Sequence, residues 1–228
     1  MPKFGEINER KNQLHEVIRL SGINIIIAET DHPLRLKVAS IQSARIQIYF
    51  IDNDDFFRRR KGVVDEAGKE YPDNDERCIF FARGTLETVQ KLRWIPDVVQ
   101  CSGWMAALVP FYLRTVYKDT PFFGKAKIVV GLTDERFKHP FGTNFAAKIR
   151  YEGVNRDEVA PLFDKEVDYK TLMKLSIDHA DAVAVQSPKA DPELVEYARQ
   201  KGLEILDYAD DTSAYVDAYK RMMTDLNA

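Results

Sequence analysis

The sequence has few cysteines and no arrangement of them that could bind a metal or form a disulfide framework. Its 228 residues contain only Cys78 and Cys101, with no CxxC pair and no cluster of histidine and cysteine. Disulfide-rich secreted domains and structural zinc sites are therefore excluded. A chain of this length can bury a sizeable core without cross-links, because domains of this size hide roughly 70% of their unfolded surface. Two isolated thiols favour a reducing compartment.

An excess of positive charge is also missing, as is a long apolar run. The formal net charge of −3 gives no electrostatic footprint for nucleic acid. No apolar stretch approaches the ~20 residues of a membrane span, and the first residues contain no signal-peptide core. We predict a cytoplasmic protein with neither nucleic acid nor a membrane as partner.

Familiar catalytic signatures are absent as well. The sequence contains no GxSxG, HExxH, P-loop or GxGxxG motif, which removes the common hydrolase, metalloprotease and dinucleotide classes. The histidines are few and scattered, and we expect most of them at the surface or in turns. No metal site is predicted.

The order of apolar segments predicts an α/β fold. Spacing predicts a short helix over residues 12–20, and β-branched residues predict strands at 23–28, 34–41 and 45–51, with a turn at 31–33. After an irregular stretch at 52–74, a helix begins near residue 76 and ends before Pro96. Strands at 98–99, 128–130, 182–186 and 203–206 then alternate with helices at 104–116, 169–179, 192–201 and 212–226.

This alternation is typical of a parallel sheet. We predict one doubly wound, mostly parallel, Rossmann-like domain over residues 1–228. Ligands of such folds lie beyond the carboxyl ends of the strands. Asp191 as N-cap, Pro192 at the first helical position and Gly202 after the last turn delimit the best-marked helix.

Two segments at predicted strand ends could bind a ligand. The acidic and basic run at residues 52–61 could hold sugar hydroxyls or phosphate, whereas composition favours a solvated loop with local ion pairs. Trp104, in Ser102-Gly103-Trp104, could stack on a sugar ring or pack between helix and sheet, two interpretations that stay open.

Several stretches together resemble the catalytic domain of glycogen and starch synthases. They follow one another in the same order and at similar spacing between residues 46 and 188: 50–59 (FIDNDDFFRR), 71–77 (YPDNDER), 94–101 (WIPDVVQC), 107–113 (ALVPFYL) and 180–188 (ADAVAVQSP). The resemblance implies one half of a GT-B architecture, in which two Rossmann-like halves enclose a cleft. Family members extend α-1,4-glucan with retention and without a metal, in glycogen metabolism.

The resemblance also assigns roles. The amino-terminal half holds the acceptor, an α-glucan or maltooligosaccharide, and the carboxyl-terminal half binds the donor, ADP-glucose or UDP-glucose. No other cofactor is implied, and the further expected partners are a donor-domain polypeptide or a homo-oligomer. The acceptor-side candidates are Asp52, Asp54, Phe57, Arg59, Asp73, Asn74 and Trp104.

The sequence departs from the family pattern at positions that matter for catalysis. Ser102-Gly103-Trp104 replaces His-Asp-Trp, Leu132-Thr133 replaces His-Asn, and Phe57 replaces a tyrosine. The family's first strand and lysine loop are expected before residue 1, and its donor half after the last helix, so we expect a truncated form. Losing one preorganised electrostatic group commonly costs ~10²–10³ in rate. We therefore expect no stand-alone catalysis; the alternative is a non-catalytic glucan-binding or regulatory module.

Overall fold

The computed structural model describes residues 1–58, 60–151 and 153–225, and the chain divides into two compact units. The first unit contains Met1–Leu92 with Ala147–Ile149, and the second contains Arg93–Ala146 with Arg150–Ala228. Both units have their own sheet. That residues 1–228 act as a single family domain stays a prediction.

An antiparallel sheet forms the first unit. Its strands are β1 (His15–Glu16), β2 (Ile23–Ile27), β3 (Thr30–Ile41) and β4 (Ile46–Asp52), and β3 pairs with the other three. Helix α1 (Asn74–Lys91) packs on this sheet at Gly84, where a Cβ would lie 3.1–3.4 Å from the side chains of Ile51, Leu34 and Ile25. The missing side chain thus allows the helix to lie close to the sheet.

The first three residues extend this sheet beside β4. Pro2 bridges Ile51 in the parallel sense, and the N–H of Lys3 donates to the carbonyl of Ile51 at 2.9 Å. The N–H of Ile51 donates in turn to the carbonyl of Met1 at 2.9 Å. The sheet of the first unit therefore has a parallel edge at residues 1–3, and it is distinct from the four-stranded parallel sheet of the second unit.

Two predictions for the amino-terminal region were wrong. Residues 12–20 do not form an α-helix: they contain β1 and a single 3₁₀ turn at Ile18–Leu20, and Val17 donates its N–H to Leu36 of β3. The predicted turn at residues 31–33 lies inside β3, and the chain turns instead at Ala28 and Glu29, which have positive φ. The helical spacing of apolar residues was misleading because Ile18 is 82% exposed.

A four-stranded parallel sheet forms the second unit and confirms the α/β fold class. The strands pair in chain order and are β5 (Val98–Ser102), β6 (Lys127–Leu132), β7 (Ala182–Val185) and β8 (Glu204–Leu206). The helices after α1 are α2 (Leu108–Arg114), α3 (Phe145–Ile149), α4 (Arg156–Val159), α5 (Tyr169–Ile177), α6 (Pro192–Gln200) and α7 (Ser213–Asp225). The short helices α3 and α4 were not predicted.

The predicted boundaries of α6 are confirmed. The Asp191 carboxylate accepts the N–H of Glu193 at 3.0 Å, and Gly202 follows the helix with φ of +75°. Asp191 itself is buried and ion-pairs with Arg136 at 3.2 Å. Asp191 therefore caps α6 and at the same time pairs with Arg136.

Both cysteines are buried, and burial raises the pKa of the Cys101 thiol to about 12. Among the described residues, no group of three or more His, Cys, Asp or Glu side chains could hold a metal ion. Within that same part of the chain, no helix is long and apolar enough to cross a bilayer.

Candidate functional site

The last residue of β4 is a buried acid, Asp52, which directly precedes the loop that leads to α1. Asp52 is fully buried, and its Oδ2 lies 3.3 Å from Nζ of Lys37, which is also buried. Neither carboxylate oxygen of Asp52 accepts a hydrogen bond from a described residue. Lys37 also binds Glu9 at 2.5 Å, and this hydrogen bond lowers the pKa of Glu9. The four charges of Asp52, Lys37, Glu9 and Lys3 form one chain of ion pairs.

Two other predicted acids are held by arginines. Asp54 accepts hydrogen bonds from Arg35 and, at 2.9 Å, from Arg58, and the bond from Arg58 lowers the pKa of Asp54. Asp73 accepts from Arg60 at 2.5 and 2.7 Å. Both carboxylates are therefore in local ion pairs, the arrangement that composition favoured for this loop.

Arg77 fixes the loop from inside the first unit. It is fully buried and donates to the carbonyls of Gly62 (2.9 Å) and Phe56, and to Oδ1 of Asn74 at 3.2 Å. Its guanidinium lies 4.8 Å from the centre of the Tyr71 ring. Burial lowers the pKa of Arg77 to about 10, which leaves it charged at neutral pH. One side chain thus connects three points of the loop.

Of the remaining candidates in the first unit, two are buried and one lies outside the described residues. Phe57 is fully buried, with its ring 6.0 Å from that of Phe80. Asn74 is buried and donates to the carbonyl of Val63 at 2.9 Å. Arg59 lies outside the described residues. The acceptor-side role of these residues stays a prediction.

Trp104 belongs to the second unit and lies in its interior. The side chain is 2% exposed, and its ring contacts those of Phe137 and Phe141 edge-on at 5.3 and 6.2 Å. In this arrangement the indole packs against protein, so stacking on a sugar would require the aromatic neighbours to move.

Polar side chains meet at the carboxyl ends of β5, β6 and β7. A Cβ on Gly103 would lie 3.4 Å from Oγ1 of Thr133 and 3.7 Å from Oε2 of Glu135. The Gln186 amide lies over Gly131, where a Cβ would also come within 3.0 Å of Oγ of Ser102. We call Ser102, Thr133, Glu135 and Gln186 the strand-end cluster, which offers hydroxyl, amide and carboxylate groups for hydrogen bonding.

The sequence patterns do not predict that these four side chains meet. Ser102 belongs to the pattern Ser102-Gly103-Trp104, and Thr133 belongs to a departure from the family pattern far along the chain. The available signal was the position of Thr133 and Glu135 directly after β6, since parallel strands bring their carboxyl ends to one edge.

Comparison with known proteins decides the family. A family model described as "Starch synthase catalytic domain" matches residues 1–206. The chain belongs to the starch synthase catalytic domain family. The resemblance predicted from the sequence is confirmed, and with it the assignment to glycogen/starch-synthase-type glycosyltransferases.

Similar proteins include two bacterial relatives. The glycogen synthase of Chlorobium phaeobacteroides is 35% identical over 190 residues, covering 82% of this chain and 37% of that protein. The glycogen synthase of Chlorobium limicola is 42% identical over 131 residues, covering 57% and 27%. The chain thus spans less than two fifths of the length of the curated relatives it matches.

A solved structure has the same fold. The catalytic domain of starch synthase IV from Arabidopsis thaliana, bound to ADP and acarbose, matches with a TM-score of 0.67 over 94% of this chain and 44% of that chain. The sequence identity is 15%, so this likeness concerns the fold alone. The family member described here therefore has the α/β fold of a GT-B glycosyltransferase.

Proposed function

We propose that this chain is the acceptor-side part of a glycogen/starch-synthase-type glycosyltransferase. In this role it positions an α-1,4-glucan, and a donor-binding part, on this or another polypeptide, supplies the nucleotide-activated glucose. The chain by itself does not transfer glucose.

One observation carries this proposal: the histidines and the acid that the family resemblance implies at the ends of β5 and β6 are replaced at their own positions. Ser102 and Gly103 stand where the family resemblance implies a histidine and an acid, and Leu132 and Thr133 stand where it implies a histidine and an asparagine. A sugar developing positive charge and a departing nucleotide need charged or strongly donating groups. Hydroxyl and amide groups suit the hydroxyls of an acceptor sugar better.

The relatives support the same substrate class. Starch synthase IV, which shares the fold, is described as bound to ADP and acarbose, a nucleotide and a carbohydrate. The matched glycogen synthases are more than twice as long as the region they share with this chain. A donor-binding part is therefore expected in any active assembly.

A second function deserves a test because of Gly103. An enzyme would have reason to keep the acid that the resemblance implies at this position, and glycine removes it. A non-catalytic glucan-binding or regulatory module would have no such need. This candidate predicts that the chain binds glucan but never supports transfer, whatever part is added.

Calorimetry with millimolar ADP-glucose and UDP-glucose tests the proposal on the isolated chain. We expect no saturable heat and no change in melting temperature with either donor, together with co-sedimentation of the chain with glycogen. Saturable donor binding would contradict the assignment of donor binding to another part. A failure to co-sediment would contradict the acceptor role.

A further inference from the structure

Strand β2 of the first unit has an open edge. Among the described residues it pairs only with β3, and Ile27 opposite Thr30 closes the turn between the two strands. In an antiparallel hairpin the pair that closes a two-residue turn is hydrogen-bonded, and every second residue along the strand points its N–H and C=O to the other side. The backbone groups of Asn24 and Ile26 therefore face away from β3.

The surroundings of these two residues agree with this orientation. Pro33 lies opposite Asn24 and has no N–H that could bond it. Apart from β3, no backbone group of the described residues is bonded to Asn24 or Ile26. Asn24 is exposed, and Ile26 is 55% exposed. An exposed edge of β-branched residues is a template for pairing with another chain.

The sequence of this edge is complementary to itself when two copies run antiparallel. With Ile25 on a twofold axis, Asn24 of each copy lies opposite Ile26 of the other, and these residues exchange their outward backbone bonds. On the opposite face of the strand Ile23 lies against Ile27. The strand contains neither a charge nor a proline that would oppose this pairing.

The charges beyond the two ends of β2 also favour a second copy. Arg19 precedes the strand, whereas Glu29 and Asp31 follow its last residue, and all three are exposed. Antiparallel pairing brings the start of one β2 beside the turn after the other, so the arginine of each copy meets carboxylates of the other. Such complementarity is a property of an interface with twofold symmetry.

Arg83 of α1 already occupies part of this edge. Its Nη1 donates to the carbonyl of Ile26 at 2.5 Å. This carbonyl is the acceptor that the N–H of Asn24 of a second copy needs. Charged side chains at an edge are a means by which proteins block strand pairing. Arg83 therefore competes with the second copy for one acceptor in each chain.

We propose that the open edge of β2 is a pairing surface for a second copy of this chain, and that Arg83 keeps the resulting dimer weak. The second copy is the occupant because the strand and its flanking charges are complementary to themselves under a twofold axis. This inference goes beyond the proposed function and does not depend on it, since β2 contains none of the acceptor-side candidates.

Sedimentation velocity of the whole chain over a concentration series tests this inference. We expect Arg83→Met, which keeps a long unbranched side chain and removes the donor, to lower the dimer dissociation constant by roughly tenfold or more. Adding Asn24→Pro should abolish this gain, because proline removes an outward N–H and leaves the bonds to β3 in place. Arg221→Met is the control, since this arginine is exposed and belongs to the second unit.

Amide hydrogen exchange locates the surface. In Arg83→Met, the N–H groups of Asn24 and Ile26 should exchange more slowly as the protein concentration rises. The N–H of Ile25 faces β3 and should show no such dependence. Slower exchange confined to other segments would overturn the assignment of the dimer to β2.

The other outcomes decide in the same way. An unchanged dissociation constant in Arg83→Met, or a dimer that survives Asn24→Pro, would overturn the inference. Species larger than a dimer would contradict twofold pairing, because closed symmetry leaves no further β2 edge. Should Arg83→Met fail to fold, exchange at Asn24 and Ile26 in the unchanged chain decides: slowing with concentration supports the surface, and constant rates overturn it. Each negative result leaves the proposed function standing.

Discussion

Arg77 shows how a single residue organises the loop that precedes it. Its guanidinium is fully buried near the start of α1 and donates to Gly62, Phe56 and Asn74. The nearest carboxylate, that of Asp73, lies 3.8 Å from Nε. Most of the stabilisation of this buried charge therefore comes from carbonyl and amide oxygens that have no substitute donor once the arginine is removed.

We expect Arg77→Met to lower the free energy of unfolding by about 3 kcal/mol, because it leaves buried acceptors unsatisfied. Urea denaturation followed by fluorescence measures the change. Arg221→Met is the control: Arg221 is 65% exposed in its side chain and pairs with Glu204 at 2.7 Å, so the loss should stay within about 0.5 kcal/mol. Equal losses in the two variants would contradict the role given to Arg77.

The predicted acceptor residues show the limit of sequence reasoning at this scale. Asp54 and Asp73 were recognised as charged groups of one loop, and the structure shows that arginines of the same unit bind them. Phe57 and Trp104 were chosen as aromatic residues near strand ends, yet both are buried. An aromatic residue that stacks on sugar and one that fills a core have the same composition signal, and only burial separates them.

At the scale of elements, the amino-terminal segment depends on a close approach to the loop after β4. The N–H of Gly5 donates to the carbonyl of Arg60 at 2.8 Å, and a Cβ on Gly5 would come within 2.5 Å of the carbonyl oxygen of Arg58. Backbone on both sides leaves no flexible group that could move away. Glycine is therefore required at this position because a side chain would clash with the backbone, and not because φ is positive.

Gly5→Ala should cost about 1–3 kcal/mol of unfolding free energy, since the segment or the loop must shift. Gly62→Ala is the matched control in the same unit: a Cβ at Gly62 has no atom within 4 Å. That control should be neutral or stabilising by up to about 1 kcal/mol, because alanine restricts the unfolded chain. Thermal melts of both variants give the comparison, and a neutral Gly5→Ala would rule out the close contact.

The cap of α6 gives a second prediction for an element. Asp191→Ala removes the acceptor for the N–H of Glu193 and the buried partner of Arg136. We expect a loss of about 1–2 kcal/mol, measured as a shift of the urea midpoint. Asp191→Asn should lose clearly less, because asparagine caps helices about as well as aspartate. If the two variants lose the same amount, the ion pair rather than the cap stabilises this end.

Sequence patterns predicted elements well wherever local signals and tertiary packing agreed. The α6 boundaries followed from Asp191, Pro192 and Gly202, and the four parallel strands followed from short β-branched runs between helices. Residues 12–20 were misassigned because their apolar spacing fits a helix, whereas the chain pairs with β3 through Val17. Strand pairing depends on a distant partner, and a local window does not contain that partner.

At the scale of the whole molecule, family membership rests on residues spread over both units. The family model spans residues 1–206, and the fold of starch synthase IV extends over 94% of the chain. The division into two units was not predicted, because alternation of strands and helices does not reveal that residues 15–52 form an antiparallel sheet of their own. The parallel sheet and its strand-end cluster belong entirely to the second unit.

The most direct test of the proposed function is transfer of labelled glucose from ADP-glucose to glycogen. The chain is assayed alone and after fusion to the donor-binding part of the Chlorobium phaeobacteroides glycogen synthase, with that intact enzyme as reference. We predict no incorporation by the chain alone, and incorporation by the fusion at a rate at least ~10² below the reference, since the histidines and the acid that the resemblance implies at the ends of β5 and β6 are replaced. Saturable incorporation by the chain alone would contradict the account, and an inactive fusion that still binds glycogen would establish the non-catalytic module instead.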